Sequence, residues 1–358
     1  MIEDQGYRAF GIWRFFLALC VMFQHFGVNL GSSALRKIAS FWLPGSIAVP
    51  VFFTLSGFIV FEAGRTYYLG SPLRFAANRA TRLLPLFAIA VVASALVLSL
   101  TGHDFSSPIP DGTLKPANLT ANLLYLLPYQ NLVLSYDLLP VFWAVRWELV
   151  FYVFIALTLL LSSSGATYAI TFLTLSTFIG MKHGAGDLRF IAAIGANFCI
   201  GSLTALAVRE RNAFCAGLAL ATFVVLVSEC EPTLPHSWRL VAVFSAGQLI
   251  SFALLFWRPS LWHQQRDAKL GDLSYPLYIL HLPVGYAVLG VVGSGVVGFT
   301  IATLLSLALA WIANSAIEKP MRKVRSLIRG RTISPVSSQA MIIQSPIQAK
   351  AISINANS

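Results

Sequence analysis

The chain has 358 residues, 57% of them hydrophobic and only 11% charged, with a mean hydropathy of +0.73. A soluble domain carries about 25% charged residues, so the composition excludes an ordinary soluble protein and predicts an all-α, polytopic transmembrane helical bundle. The formal net charge of +11 invites a nucleic-acid reading, which the placement of the basic residues removes.

Apolar stretches predict ten spans, near 10–30, 46–63, 83–101, 140–161, 166–181, 190–208, 213–229, 239–257, 272–290 and 296–317. With the N-terminus in the cytoplasm, 17 Lys and Arg fall in inner segments and 6 in outer ones. This asymmetry predicts both termini inside. The basicity is a topology signal: a lipid bilayer is the expected partner, and no nucleic acid is. The first span lacks a small-residue cleavage site and reads as a retained helix, not a signal peptide.

The first span carries Arg14 and His25 as its only ionisable side chains. A guanidinium within a bilayer costs several kcal/mol unless it faces protein, water or a ligand. The eleven-residue offset is roughly three turns, so both groups share one face, about 16 Å apart along the axis. The bland alternative is a snorkelling arginine and a hydrogen-bonded interior histidine. The second span contains Phe52-Phe-Thr-Leu-Ser56-Gly57-Phe58, where Ser and Gly predict close helix packing.

The inner loop 64–82 that follows holds Arg65, Arg74, Arg79 and Arg82. Arg79 and Arg82 are spaced i, i+3 and can grip phosphate, although topology alone demands basic inner loops. The outer segment 102–139 is broken by Pro128, Gln130 and Asn131 and reads as packed or interfacial. The fourth span opens with Trp143-Ala-Val-Arg146-Trp-Glu148-Leu-Val-Phe151-Tyr152. Its depth lets Glu148 meet His25 in the outer half of the membrane and fix the imidazole tautomer. In the bland reading, Arg146 or another cation neutralises Glu148. The ninth span carries Ser274, Tyr278 and His281 on one face at i, i+4 and i+7. Packing roles for the tyrosines and a structural His281 are the plain alternatives. Cys20, Cys199, Cys215 and Cys230 lack metal-ligand spacing and read as small core residues. Residues 1–329 form the expected membrane domain, and 330–358 an expected disordered cytoplasmic tail.

Taken together in this order, the pieces resemble the membrane acyltransferase-3 family, multi-pass O-acyltransferases of bacterial surface carbohydrates. The shared pieces are Arg14 with His25, the run Phe52 to Phe58, and Arg79-x-x-Arg82-x-x-Pro85. They continue with Trp143…Glu148-x-x-Phe151-Tyr152, Ser274-Tyr275-x-x-Tyr278-x-x-His281-x-Pro283, and Glu318-x-Pro320. Arg146 departs from the small polar residue common there.

The resemblance implies a multi-pass protein of the bacterial plasma membrane that moves an acyl group, most often acetyl, from cytoplasmic acyl-CoA to a carbohydrate hydroxyl. It implies no bound cofactor and no metal. It assigns Arg79, Arg82 and Arg14 to the acyl-CoA donor. It makes His25 the general base or, alternatively, an acyl-accepting nucleophile, oriented by Glu148. It gives Tyr278, His281, Ser274 and Trp143 to the acceptor or the developing oxyanion. A transporter or flippase of a glycan or lipid is the competing class, since intramembrane charge also suits transport. Consumption of a CoA thioester separates the two.

Overall fold

A computed structural model of the protein describes residues 9–105, 107–128, 133–230, 238–257 and 259–330. Its helices are α1 (Gly11–Asn29), α2 (Ser33–Trp42), α3 (Pro44–Tyr67), α4 (Pro72–Thr101), α5 (Pro116–Leu124), α6 (Trp143–Thr158) and α7 (Ser163–His183). They continue with α8 (Asp187–Glu210), α9 (Ala213–Cys230), α10 (Trp238–Phe256), α11 (Leu261–Val291), α12 (Val296–Ala313) and α13 (Lys319–Arg329). Among the described residues the only β pairing is an isolated bridge between His103 and Pro108. An all-helical architecture is what lipid demands, because a helix satisfies its backbone polar groups within one segment.

Eight stretches among the described residues are long and apolar enough to cross a membrane, against ten expected. Each of the ten expected stretches is helical. The two that fall short are α7, whose Ser and Thr content lowers its apolarity, and α9, which is apolar but short.

The inner loop expected over 64–82 is instead two helix ends joined by residues 68–71. Pro72 opens α4, where a missing N–H costs nothing. The arginines assigned to that loop are used by the fold. Buried Arg65 donates to the carbonyls of Thr158 (3.4 Å) and Leu161 (3.0 Å) and to Ser163 Oγ (2.9 Å). Arg74 donates through Nε (3.0 Å) and Nη2 (2.8 Å) to the Ile328 carbonyl. The last carbonyls of a helix have no partner within it, and a cation there also meets the negative end of the dipole. These two arginines thus close α6 and α13.

Helix α1 is held at both ends by other helices. Asp267, buried at the start of α11, accepts from the backbone N–H of Gly11 (2.8 Å) and Ile12 (2.7 Å). At the far end, Gln24 Oε1 accepts from the N–H of Gly45 (2.8 Å) and Ser46 (3.0 Å), capping α3. Replacing Asp267 by Ala is expected to lower the melting temperature of the purified protein, since losing a cap costs about 0.5–2 kcal/mol. An unchanged melting curve would show that water caps α1 equally well.

Helices α3 and α8 pack most closely, as the Ser-Gly pattern predicted. A Cβ on Gly57 would overlap the Phe198 carbonyl, and one on Gly201 the Thr54 carbonyl. Gly201→Val is therefore expected to abolish accumulation in the membrane, because backbone on both sides has to part. Wild-type abundance on a membrane immunoblot would contradict this. The described residues of segment 102–139 pack on the bundle as expected, while Gln130 and Asn131 lie outside the described residues. Asn118 and Asn122 both donate to the Tyr136 carbonyl (3.1 and 2.9 Å), and Tyr136 donates to Asp104 (2.7 Å). Cys199 and Cys215 are free and buried, and Cys20 is free and partly exposed; the side chain of Cys230 and segment 331–358, the bulk of the expected tail, lie outside the described residues.

Candidate active site

Helices α1, α3, α4, α6 and α11 enclose a cavity of about 70 Å³ lined by Arg14, Ser56, Arg82, Glu148, Tyr152, Ser274, Tyr275 and Tyr278. Two guanidinium groups thus face one carboxylate. Glu148 Oε1 accepts from Ser56 Oγ (2.8 Å) and from Tyr152 OH (2.6 Å), the latter one turn along its own helix. Among the described residues neither the Arg14 nor the Arg82 guanidinium has a hydrogen bond or ion pair. Their donors are left to the cavity, which suits an anion.

Arg79 does not join them. It is buried, its guanidinium lies 5.4 Å from the Phe75 ring and 5.8 Å from the Tyr152 ring, and its Nε has no partner. Arg146 does not neutralise Glu148 either. It is fully buried, pairs with Asp137 at 2.9 Å and covers the Phe142 ring at 5.3 Å. The ninth-span hydroxyls are committed to backbone. Ser274 donates to the Gly271 carbonyl (2.7 Å), Tyr275 to Leu83 (2.8 Å) and Tyr278 to Val141 (2.5 Å). Ser274 and Tyr278 therefore offer the cavity an acceptor oxygen and no free proton, and Tyr278 also fixes the turn that opens into α6.

The partner that Glu148 was expected to be for His25 is His281. His25 Nδ1 and His281 Nε2 are 2.8 Å apart, and the rings lie edge to edge, centroids 5.0 Å apart and 18° between planes. His281 is completely buried, and its Nδ1 lies 3.2 Å from the Leu277 carbonyl. A carbonyl only accepts, so that nitrogen carries the proton. In the neutral pair this leaves His281 Nε2 as an acceptor. His25 Nδ1 must then donate to it, and His25 Nε2 holds the lone pair. A chain of two imidazoles thus sets the tautomer of the one that reaches a cavity.

That cavity is the second one. It holds about 560 Å³ and is lined by His25 with Gln24, Ser46, Trp143, Asn197, Tyr278 and many apolar side chains. Val49, Phe53 and Tyr278 line both cavities, so one layer of side chains separates them. Trp143 sits edge-on to Phe53 at 6.1 Å. Asn197 belongs to a buried polar knot: Gln248 Nε2 donates to Thr54 Oγ1 (2.9 Å) and to Asn197 Oδ1 (3.1 Å).

The pairing of the two histidines, the capping by Gln24 and the Thr54–Asn197–Gln248 knot are absent from the sequence expectations. Each is a polar residue inside an apolar stretch, which is the signal that could have marked it.

The arrangement presents a lone-pair imidazole at one cavity and unpaired cations at the neighbouring one, which suits proton abstraction beside an anionic ligand. Comparison with curated proteins and with solved structures gave no match. A family model described as an acyltransferase domain matches residues 7–315. This stretch contains every residue of both cavities, and the chain belongs to the acyltransferase-3 family of membrane acyltransferases.

Proposed function

We propose that the protein is an O-acyltransferase of the bacterial plasma membrane that moves an acyl group from cytoplasmic acyl-CoA to a hydroxyl of a cell-surface or lipid-linked carbohydrate. Acetyl-CoA is the simplest such donor. The observation that carries this reading is His25, held in one tautomer by His281 and separated by a single side-chain layer from Arg14 and Arg82. The donor's anionic part would dock at the arginines, and its pantetheine arm would bring the thioester to Tyr278. The acceptor hydroxyl would lie at His25 in the larger cavity. As its oxygen attacks the thioester carbonyl, its proton passes to His25 Nε2. The C–S bond breaks, and the departing thiolate takes that proton from His25. The products are an ester and CoA thiol. Glu148, bound by Ser56 and Tyr152, balances one of the two cations and sets the net charge at the donor site.

The test is release of CoA thiol from acetyl-CoA by purified protein in nanodiscs, with extracted envelope glycans as acceptor. Glycan acylation without thioester consumption by this protein would refute the reading and favour the transport class.

The two arginines expected to act together should separate. Arg82→Ala is expected to weaken CoA binding about 10- to 100-fold, since a charge-assisted bond to phosphate is worth about 1.5–3 kcal/mol. Arg79→Ala should instead lower stability, because Arg79 is packed beneath two rings and lies outside the cavity lining. CoA affinity by calorimetry and melting temperature distinguish them. An equal loss of affinity in both variants would return Arg79 to the donor site.

A further inference from the structure

We infer that the larger cavity is an acyl-chain pocket, and that the preferred donor carries a chain several carbons longer than acetyl. This rests on the acyltransferase reading. An acetyl group extends one methyl beyond the thioester carbonyl, a small object in about 560 Å³. That volume is in the range of pockets that enclose whole small molecules, roughly 300–1,000 Å³.

The walls decide which part of a substrate fills it. On the α1–α3 side stands His25, beside Gln24 and Ser46, which are bonded to each other (3.1 Å), so the polarity that suits a hydroxyl-bearing acceptor is gathered there. The α9–α10 side is Leu226, Val227, Leu240, Val241 and Phe244, and the one polar side chain these two helices add to the lining is Glu229. A sugar hydroxyl against that wall would lose water and gain no partner, whereas a hydrocarbon chain loses nothing there and leaves water. Arg189 and Glu229, also on the lining, are paired with each other at 2.8 Å. They need no ligand.

The side-chain layer shared by the two cavities favours the donor's chain over an apolar part of the acceptor as the occupant. Tyr278, Val49 and Phe53 line both cavities, so a linear donor whose anionic part is held at the arginines meets this layer acyl chain first, with its thioester coming to rest at it. Its acyl chain then continues into the larger cavity. The acceptor takes the polar side beside His25. Chain length leaves the chemistry unchanged: the ester C–O bond forms, the C–S bond breaks, and the hydroxyl proton ends on the CoA thiol.

The test is equilibrium binding of unreactive thioethers, S-methyl-CoA, S-butyl-CoA and S-octyl-CoA, to the full chain in nanodiscs. Turnover of acetyl-, butyryl- and octanoyl-CoA is followed alongside. A buried methylene is worth up to about fourfold in affinity, so S-octyl-CoA is expected to bind at least about tenfold more tightly than S-methyl-CoA. Val241→Trp, which fills the apolar wall, should shrink that ratio severalfold. Leu226→Phe serves where the tryptophan variant does not fold. Equal binding of the three thioethers overturns the pocket while leaving the acyltransferase reading intact. A preference that persists undiminished in both filled variants is partition into the bilayer, and also overturns it. Octyl glucoside binding that Val241→Trp abolishes, with thioether preference untouched, gives the cavity to the acceptor and overturns it too. No binding of any thioether, with no thiol release, refutes the acyltransferase reading itself.

Discussion

Replacing His25 by alanine is expected to reduce acyl transfer by about 10²- to 10⁴-fold, the usual cost of a lost general base, with the protein still inserted and folded. The fold does not depend on the imidazole. Helix α1 is anchored by Asp267 at its start and by Gln24 against α3 near its end. The gap opens onto a cavity that already exists, and water there can donate to the orphaned His281 nitrogen. Thiol release at matched membrane abundance measures the effect. Activity above a tenth of wild type would remove His25 from the mechanism. The same variant also removes a nucleophile, so base and acyl-histidine routes are separated differently. Acyl-CoA is added without acceptor, the reaction is quenched rapidly, and the peptide containing His25 is weighed. An acylated peptide that forms and decays at the rate of turnover would establish the covalent route.

Much of the helical framework was legible because apolar length is a local property. So was the placement of Arg14 at a cavity, since a guanidinium inside an apolar span must face protein, water or a ligand. Glu148 lines the smaller cavity, and its partners differ from the one the sequence suggested. It bonds Ser56 and Tyr152, and the second of these is visible as an i+4 pair on one helix. The histidine pair was hidden for the opposite reason. His25 and His281 are 256 residues apart, and their meeting depends on how α1 lies against α11, which no period along either helix encodes. The basic segment 64–82 reads as an inner loop because charge marks the cytoplasmic side, whereas it folds as two helix ends. Arg65 and Arg74 are recruited by the unpartnered carbonyls at the ends of α6 and α13, a demand that appears only once helices stop beside them. Arg82, one helical turn from buried Arg79, reaches the cavity and Arg79 does not, a difference of rotation around α4 that i, i+3 spacing leaves open. The larger cavity was out of reach altogether, since it is defined by where side chains from α1, α3 and α8–α10 fail to meet.

His281→Leu is expected to lower the turnover number by about 10- to 100-fold, the range for losing a group that orients a functional imidazole, with little change in affinity for CoA. The reason is the tautomer. With Leu277 fixing the proton on His281 Nδ1, His281 Nε2 accepts from His25 Nδ1 and leaves His25 Nε2 free to take the acceptor's proton. Leucine removes that acceptor, and His25 is released to place its proton on Nε2, where it blocks the reaction. A misplaced tautomer can cost about 10⁴-fold in a hydrolytic triad. His281→Gln separates this from packing, because its side-chain oxygen can accept from His25 Nδ1 while its shape differs from imidazole. Partial recovery in Gln over Leu is therefore expected. ¹⁵N-labelled histidine in the purified protein should report the proton on Nδ1 of His25 in wild type and in the Gln variant, and a mixture in Leu. Equal loss in both variants with unchanged tautomer signals would make His281 a packing residue. Full activity in the leucine variant would show that His25 needs no partner to set its proton.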